Sequence, residues 1–161
     1  MKIDKKILFY DMLKKIISNS EQDSANFAVE IAKTAKPGSV FALYGPLGAG
    51  KSVFSRSFAR ACGVKGPIPS PTFTIVQEYK IDETIYGFKR LYHMDLYRIP
   101  DSENALAFGI DEFLDDNSAI KLIEWPERIE DILPPDTLQI KIDHLEEEKR
   151  EIILSSKKTK I

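Results

Sequence analysis

The sequence predicts a single-domain, three-layer α/β fold, with a mixed central β-sheet flanked by helices and a C-terminal β-hairpin. Three observations carry that prediction. Short apolar runs at Ser39 to Tyr44 and Ala119 to Glu124 read as buried strands. Segments of helical period alternate with strands in the first half of the chain, as in an α/β architecture. Closely spaced strand pairs follow, and their antiparallel pairing makes the sheet mixed. The 161 residues suit one domain, large enough to bury a core without metal or disulfide staples.

Residues 1–19 form a Lys-rich N-terminal extension with apolar bursts at Ile7-Leu8-Phe9-Tyr10 and Ile16-Ile17, fitting either an added strand or a short helix. Ser20 is placed to cap a helix carrying Ala25, Ala28, Ile31, Ala32 and Ala35, with Glu21 and Asp23 in its positive first turn. Pro37-Gly38 stops it. The strand Ser39 to Tyr44 leads into Gly45–Ser52 and a second helix, ended near Cys62 by Gly63. Residues 63–72, with three prolines and two glycines, form a loop. Phe73 to Lys80 and Gly87 to Asp95 read as a hairpin-like strand pair. Ser102 is read as capping a helix through Phe108, with another short helix near Asp111 to Asp115. After the strand Ala119 to Glu124, Pro126 opens a short helix at its first position. Residues 137–143 and 150–154 alternate as a closing hairpin, and the basic tail 155–161 is expected to fray.

Lys plus Arg number 23 and Asp plus Glu 25, giving a formal charge of −2, which argues against a dedicated polybasic nucleic-acid binder. A single cysteine, Cys62, excludes an internal disulfide framework and favours a reducing compartment. No apolar run approaches the ~18 residues of a membrane span, and the charged start does not read as a secretory leader. A cytoplasmic protein without membrane or DNA partners is expected. With two histidines and that one cysteine, no zinc site is supported.

The chemistry concentrates in Gly45-Pro46-Leu47-Gly48-Ala49-Gly50-Lys51-Ser52, which matches the phosphate-loop pattern G-x-x-x-x-G-K-[ST]. Glycines permit the tight turn that aims successive N–H groups at phosphate oxygens. The following helix adds its positive N-terminal end. Lys51 is placed to reach the β- and γ-phosphates as a point charge, and Ser52 to give its hydroxyl to Mg²⁺. A chance match occurs in about one in a few hundred chains of this length. The buried strand before the loop and the apolar-periodic helix after it distinguish this match from a Gly-rich turn with a surface lysine.

Such a loop requires an acid to hold the metal or orient water. Asp95 and Glu124 both end predicted strands, where ligands of α/β sheets gather. Glu124, after four mostly apolar residues, is the stronger candidate; the alternative is a solvated carboxylate or one paired with Arg128. Asp95 is either a site acid or a cap on the turn Leu96-Tyr97-Arg98. His93 reads as a packed or hydrogen-bonded histidine, Trp125 as packing beside Pro126, and Cys62 as a small core residue.

Four blocks in order, LYGPLGAGKSVFSR, SPTFTIVQEY, YHMDLYRI and LIEWPERI, resemble the TsaE family, small P-loop ATPases of bacterial tRNA threonylcarbamoyladenosine biosynthesis. The resemblance runs from about Ser20 to Arg150. It implies a P-loop NTPase-like fold that binds ATP, releases ADP and uses Mg²⁺. Gly45, Gly48, Ala49, Gly50, Lys51, Ser52 and Val53 would cradle the phosphates. Ser52, Glu124 and Asp95 would serve the metal, and Glu124 would help activate water. Thr72 would lie in a switch-like segment near the γ-phosphate. Ser20 and Lys149 fall where relatives approach the base. The implied partner is a TsaD–TsaB complex, whose turnover the ATP cycle supports, with tRNA contacted only through that complex. Intrinsic hydrolysis would be slow, since no arginine finger is identifiable; Arg56 and Arg98 are the in-cis candidates. Ser52 stands where threonine is usual, and Pro46 where an acid is frequent. The rival readings are a small P-loop kinase, which would need an acceptor site and an Arg-rich lid, and a non-hydrolysing nucleotide-dependent binding module.

Overall fold

The computed structural model of the protein describes residues 10–157. Seven strands form one sheet in the order β1-β7-β6-β2-β5-β4-β3. They are β1 Tyr10–Ser18, β2 Val40–Tyr44, β3 Val76–Lys80, β4 Arg90–Asp95, β5 Ala119–Glu124, β6 Leu138–His144 and β7 Arg150–Lys157. β6, β2, β5 and β4 run parallel, whereas β3 is antiparallel to β4, β7 to β6 and β1 to β7. The sheet is therefore mixed, with its parallel strands at the centre and its hairpins toward the edges.

Strand alternation divides the core in two. In β5, Ile120 and Leu122 join the cluster under the helices α1 (Glu21–Ala32) and α2 (Lys51–Ala61). Ala119 and Ile123 join the opposite cluster under α4 (Ser102–Phe108) and α5 (Ile110–Leu114). α1 buries Phe27, Ala28, Ile31 and Ala32 at helical spacing. Its cap is Ser20 as expected, which accepts from the Asp23 N–H at 3.1 Å, an interaction worth about 1 kcal/mol. In α2, Phe54 and Phe58 are fully buried, and Phe58 meets Phe41 of β2 edge-on at 4.8 Å. This aromatic layer anchors the helix that begins at Lys51. Cys62 is buried beside it, and burial pushes its thiol up to about 12, so it is a core residue rather than a nucleophile.

Several boundaries differ from those expected. Residues 10–18 of the extension are a strand, an edge that carries Lys14 and Lys15 and an irregularity between Met12 and Lys14; both devices discourage edge-to-edge pairing. The apolar burst at Ile7-Leu8-Phe9 lies outside the described residues. Fraying does not begin at 155, because Ser155 to Lys157 continue β7 against β1; 158–161 lie outside the described residues. β3 starts at Val76 because residues 71–75 turn on themselves, the Ile75 N–H bonding the Pro71 carbonyl at 2.7 Å. A short helix, α3 (Glu83–Tyr86), fills the β3–β4 connection. Asp101, not Ser102, caps α4 by accepting from the Asn104 N–H at 2.9 Å. Among the described residues no helix is long and apolar enough to cross a membrane.

Candidate active site

Parallel register brings three strand ends level. Leu43 of β2 and Asp95 of β4 both pair with Glu124 of β5. The loop Gly45–Gly50 leaves β2 at this edge, and α2 starts directly after it. Two glycines shape the loop. A Cβ on Gly45, at φ +155°, would stand 2.7 Å from the Ile142 carbonyl oxygen of β6, so the backbone needs the missing side chain to pass. Gly48, at φ +77°, is in the left-handed region with open space beside it.

Gly48, Ala49, Gly50 and Val53 line one wall of a cavity of about 170 Å³. Ser20, at the start of α1, lines it too, as does Arg150. The Arg150 Nε–H donates to the Ala49 carbonyl at 3.0 Å, tying β7 to the loop. Lys149 instead pairs with Glu146 at 3.2 Å on the surface. The structure therefore brings Ser20 to the loop and gives the closing hairpin's loop contact to Arg150.

Lys51 is nearly enclosed, with 7% of its surface exposed. Its ammonium donates back to the Gly45 carbonyl and lies 3.9 Å from the centroid of the Trp125 ring. Burial lowers its pKa below the ordinary lysine value, and the nearby charges of Glu124, Glu127 and Asp95 oppose that shift. A desolvated cation held over an open loop is arranged to meet an anion.

Asp95 and Glu124 are both buried, at 6% and 5% exposure, side by side on adjacent strands. The Thr72 hydroxyl donates to Asp95 Oδ2 at 3.0 Å, and the Tyr97 N–H donates to Oδ1 at 3.0 Å. Asp95 thus caps the turn after β4 and also faces the SPTF segment. Glu124 pairs through Oε2 with His93 Nε2 at 2.8 Å, rather than with Arg128. Ser52, Arg56, His93 and Glu124 line one small cleft. Arg98 instead lies over the ring of Phe73, 4.5 Å from its centroid, and Phe73 is 82% exposed.

For three residues the sequence does not specify the partner that the structure shows. His93 and Glu124 are 31 residues apart, and only β4–β5 register joins them. Trp125, which the sequence favours as packing but marks for its place beside Glu124, sits at φ +58° with its ring against the Lys51 ammonium. Arg150 is one residue from the position favoured by the resemblance; the alternation of REIIL in β7 was the available signal.

Among the described residues no three His, Cys, Asp or Glu side chains cluster to hold a metal ion. Any divalent ion here would draw on a hydroxyl, one or two carboxylates and ligand oxygens, the donor set that suits Mg²⁺.

Comparison with known proteins identifies the family and the fold. A family model described as threonylcarbamoyl adenosine biosynthesis protein TsaE matches residues 18–152. The tRNA threonylcarbamoyladenosine biosynthesis protein TsaE of Bacillus subtilis is 41% identical over 138 residues, 86% of this chain and 82% of that protein. The protein of the same name from Aquifex aeolicus is 39% identical over 144 residues, 88% of this chain and 96% of its own length. The crystal structure of Bacillus subtilis YdiB superposes with a TM-score of 0.75 at 33% identity, covering 92% of this chain and 88% of that one.

Proposed function

The chain belongs to the TsaE family, and from that membership we propose that it is a Mg²⁺-dependent ATPase serving tRNA threonylcarbamoyladenosine biosynthesis through a TsaD–TsaB complex. The observation that supports this most is the shared edge of β2, β4 and β5, where Lys51, Asp95 and Glu124 meet the Gly45–Ser52 loop.

In this reading the polyphosphate of ATP lies along the backbone of Gly48–Val53, with the nucleoside toward Ser20 and Arg150. Lys51 exchanges the Gly45 carbonyl for β- and γ-phosphate oxygens. The Ser52 hydroxyl, Glu124 and Asp95 would hold Mg²⁺, which would supply neutralisation of charge on the phosphates. The Glu124 oxygen not engaged by His93 accepts a hydrogen bond from water and aims it at the γ-phosphorus. The water oxygen bonds to that phosphorus as the bond to the bridging oxygen breaks, and its proton passes by way of Glu124 to the released phosphate, giving ADP and phosphate. Thr72, now bonded to Asp95, lies in a segment where Ile75 holds φ +68°, a strained setting for a β-branched residue. A shift of this segment would carry Thr72 toward the γ-phosphate. The net charge of −2 favours tRNA contact through the partners rather than directly.

Phosphate release measured with and without TsaD, TsaB and tRNA tests the proposal. The full set is expected to raise turnover, and Glu124→Ala to lower the stimulated rate by about 100-fold or more while sparing nucleotide binding. Label transfer from ATP to a metabolite would favour a kinase. Equal partner binding with ADP and ATP, without phosphate release, would favour a binding module.

A further inference from the structure

β4 delivers two side chains to the site, Asp95 and, two residues earlier on the same face, His93. His93 is 2% exposed. Its Nε2 lies 2.8 Å from Glu124 Oε2, whereas among the described residues nothing hydrogen-bonds its buried Nδ1. Those two facts favour one tautomer. An ionised carboxylate only accepts, so the Nε2 facing it carries hydrogen. With hydrogen on Nδ1 instead, a buried donor would be left unpaired, at a free-energy penalty larger than that of a bare ring nitrogen. The Nε2–H tautomer, donating to the carboxylate, avoids that penalty.

We propose that His93 is a positioning residue: its Nε2–H fixes the Glu124 carboxylate so that the second oxygen faces the cleft shared with Ser52 and Arg56. A glutamate on a strand end has three side-chain torsions to settle, and no other hydrogen bond to the Glu124 carboxylate exists among the described residues. Locking one oxygen removes most of that freedom before water or metal arrives, as partners behind a metal-binding carboxylate or catalytic base commonly do. The inference rests on Glu124 acting in ATP hydrolysis.

Two nearly isosteric variants separate positioning from packing. A glutamine side chain places its amide nitrogen near the His Nε2, whereas asparagine matches Nδ1 and falls short of Glu124. His93→Gln is expected to keep partner-stimulated hydrolysis within about threefold of the parent, and His93→Asn to lower kcat by about 10- to 100-fold with little change in the KM for ATP. In a Glu124→Gln background, which removes the carboxylate that His93 positions, His93→Asn should add less than about twofold. Nitrogen NMR of the imidazoles in the full chain reads the tautomer without reference to activity, with His144→Gln assigning the two rings. Nε2–H is expected in the parent. Nδ1–H there, or equal activity of the Asn and Gln variants, would overturn the inference, and the NMR result decides it even if the Asn variant fails to fold. Full activity of Glu124→Gln with the Nε2–H tautomer intact would instead remove the catalytic role of Glu124.

Discussion

Replacing Gly45 with alanine isolates the steric demand of the loop from its conformational demand. The added Cβ would meet the Ile142 carbonyl oxygen at 2.7 Å and the Ala49 Cβ at 3.3 Å. Ile142 belongs to β6, paired with β7 on one side and near β2 on the other, so its carbonyl has little room to retreat. The variant also keeps a positive φ of +155°, which costs a side-chain-bearing residue about 1–3 kcal/mol. Overpacking adds about 1–3 kcal/mol. Gly48→Ala is the matched control, since its φ is +77° but no atom lies within 4 Å of the new Cβ; only the left-handed penalty of about 1–2 kcal/mol applies. For a domain of this size each kcal/mol moves the Tm by about 2–4 °C. Gly45→Ala should therefore fall by about 8–16 °C for a loss near 4 kcal/mol, and Gly48→Ala by about 3–6 °C for a loss near 1.5 kcal/mol. Because Lys51 donates to the Gly45 carbonyl, the Gly45 variant should also lose nucleotide affinity. Differential scanning calorimetry and titration with ATP provide both readings. Equal Tm losses in the two variants would refute the argument from the Ile142 contact.

Lys51→Ala should abolish tight ATP binding; unchanged affinity by titration calorimetry would contradict its place over the loop. Ser20→Ala should lower stability by about 1 kcal/mol through loss of the α1 cap, seen as a shift in the urea midpoint. Asp116 is held well below the usual carboxylate range, first by the Ser118 hydroxyl and then, against burial, by Tyr92, the Ser118 N–H and Arg90. A depressed folded-state pKa contributes stability that is complete above the unfolded value of about 3.9 and disappears as pH falls toward the folded value. The stability gap between the parent and Asp116→Asn should thus be widest above about pH 5 and narrow steadily below pH 4. A gap that does not change with pH in urea titrations would show that these contacts do not set the Asp116 pKa.

Local patterns carried the central features of the molecule. Ala119 to Glu124 is legible to the residue, because four apolar residues in a short run that ends in an acid fit a buried strand of an α/β sheet. The phosphate loop and the Ser20 cap were legible for the same reason: backbone chemistry over a few residues specifies them. Features set by long-range register were not. β1 mixes Lys14 and Lys15 with apolar residues, and its partner β7 lies at the far end of the chain. In Asp101-Ser102 two good capping residues stand together, and only the fold selects the first. Thr72 and Asp95 are 23 residues apart; their contact requires the turn at Ile75, which hides in a run that otherwise reads as strand. Phe73 was counted with that strand, yet it is exposed beneath Arg98, since the turn points it outward.

The most direct measurement is a crystal structure of the chain with Mg²⁺ and a non-hydrolysable ATP analogue. The expected result has the triphosphate along the backbone of Gly48–Val53, Lys51 turned from the Gly45 carbonyl to a phosphate oxygen, and the ion between Ser52 and the Asp95–Glu124 edge. An analogue bound away from this loop, or Lys51 still on the Gly45 carbonyl with nucleotide present, would contradict the account.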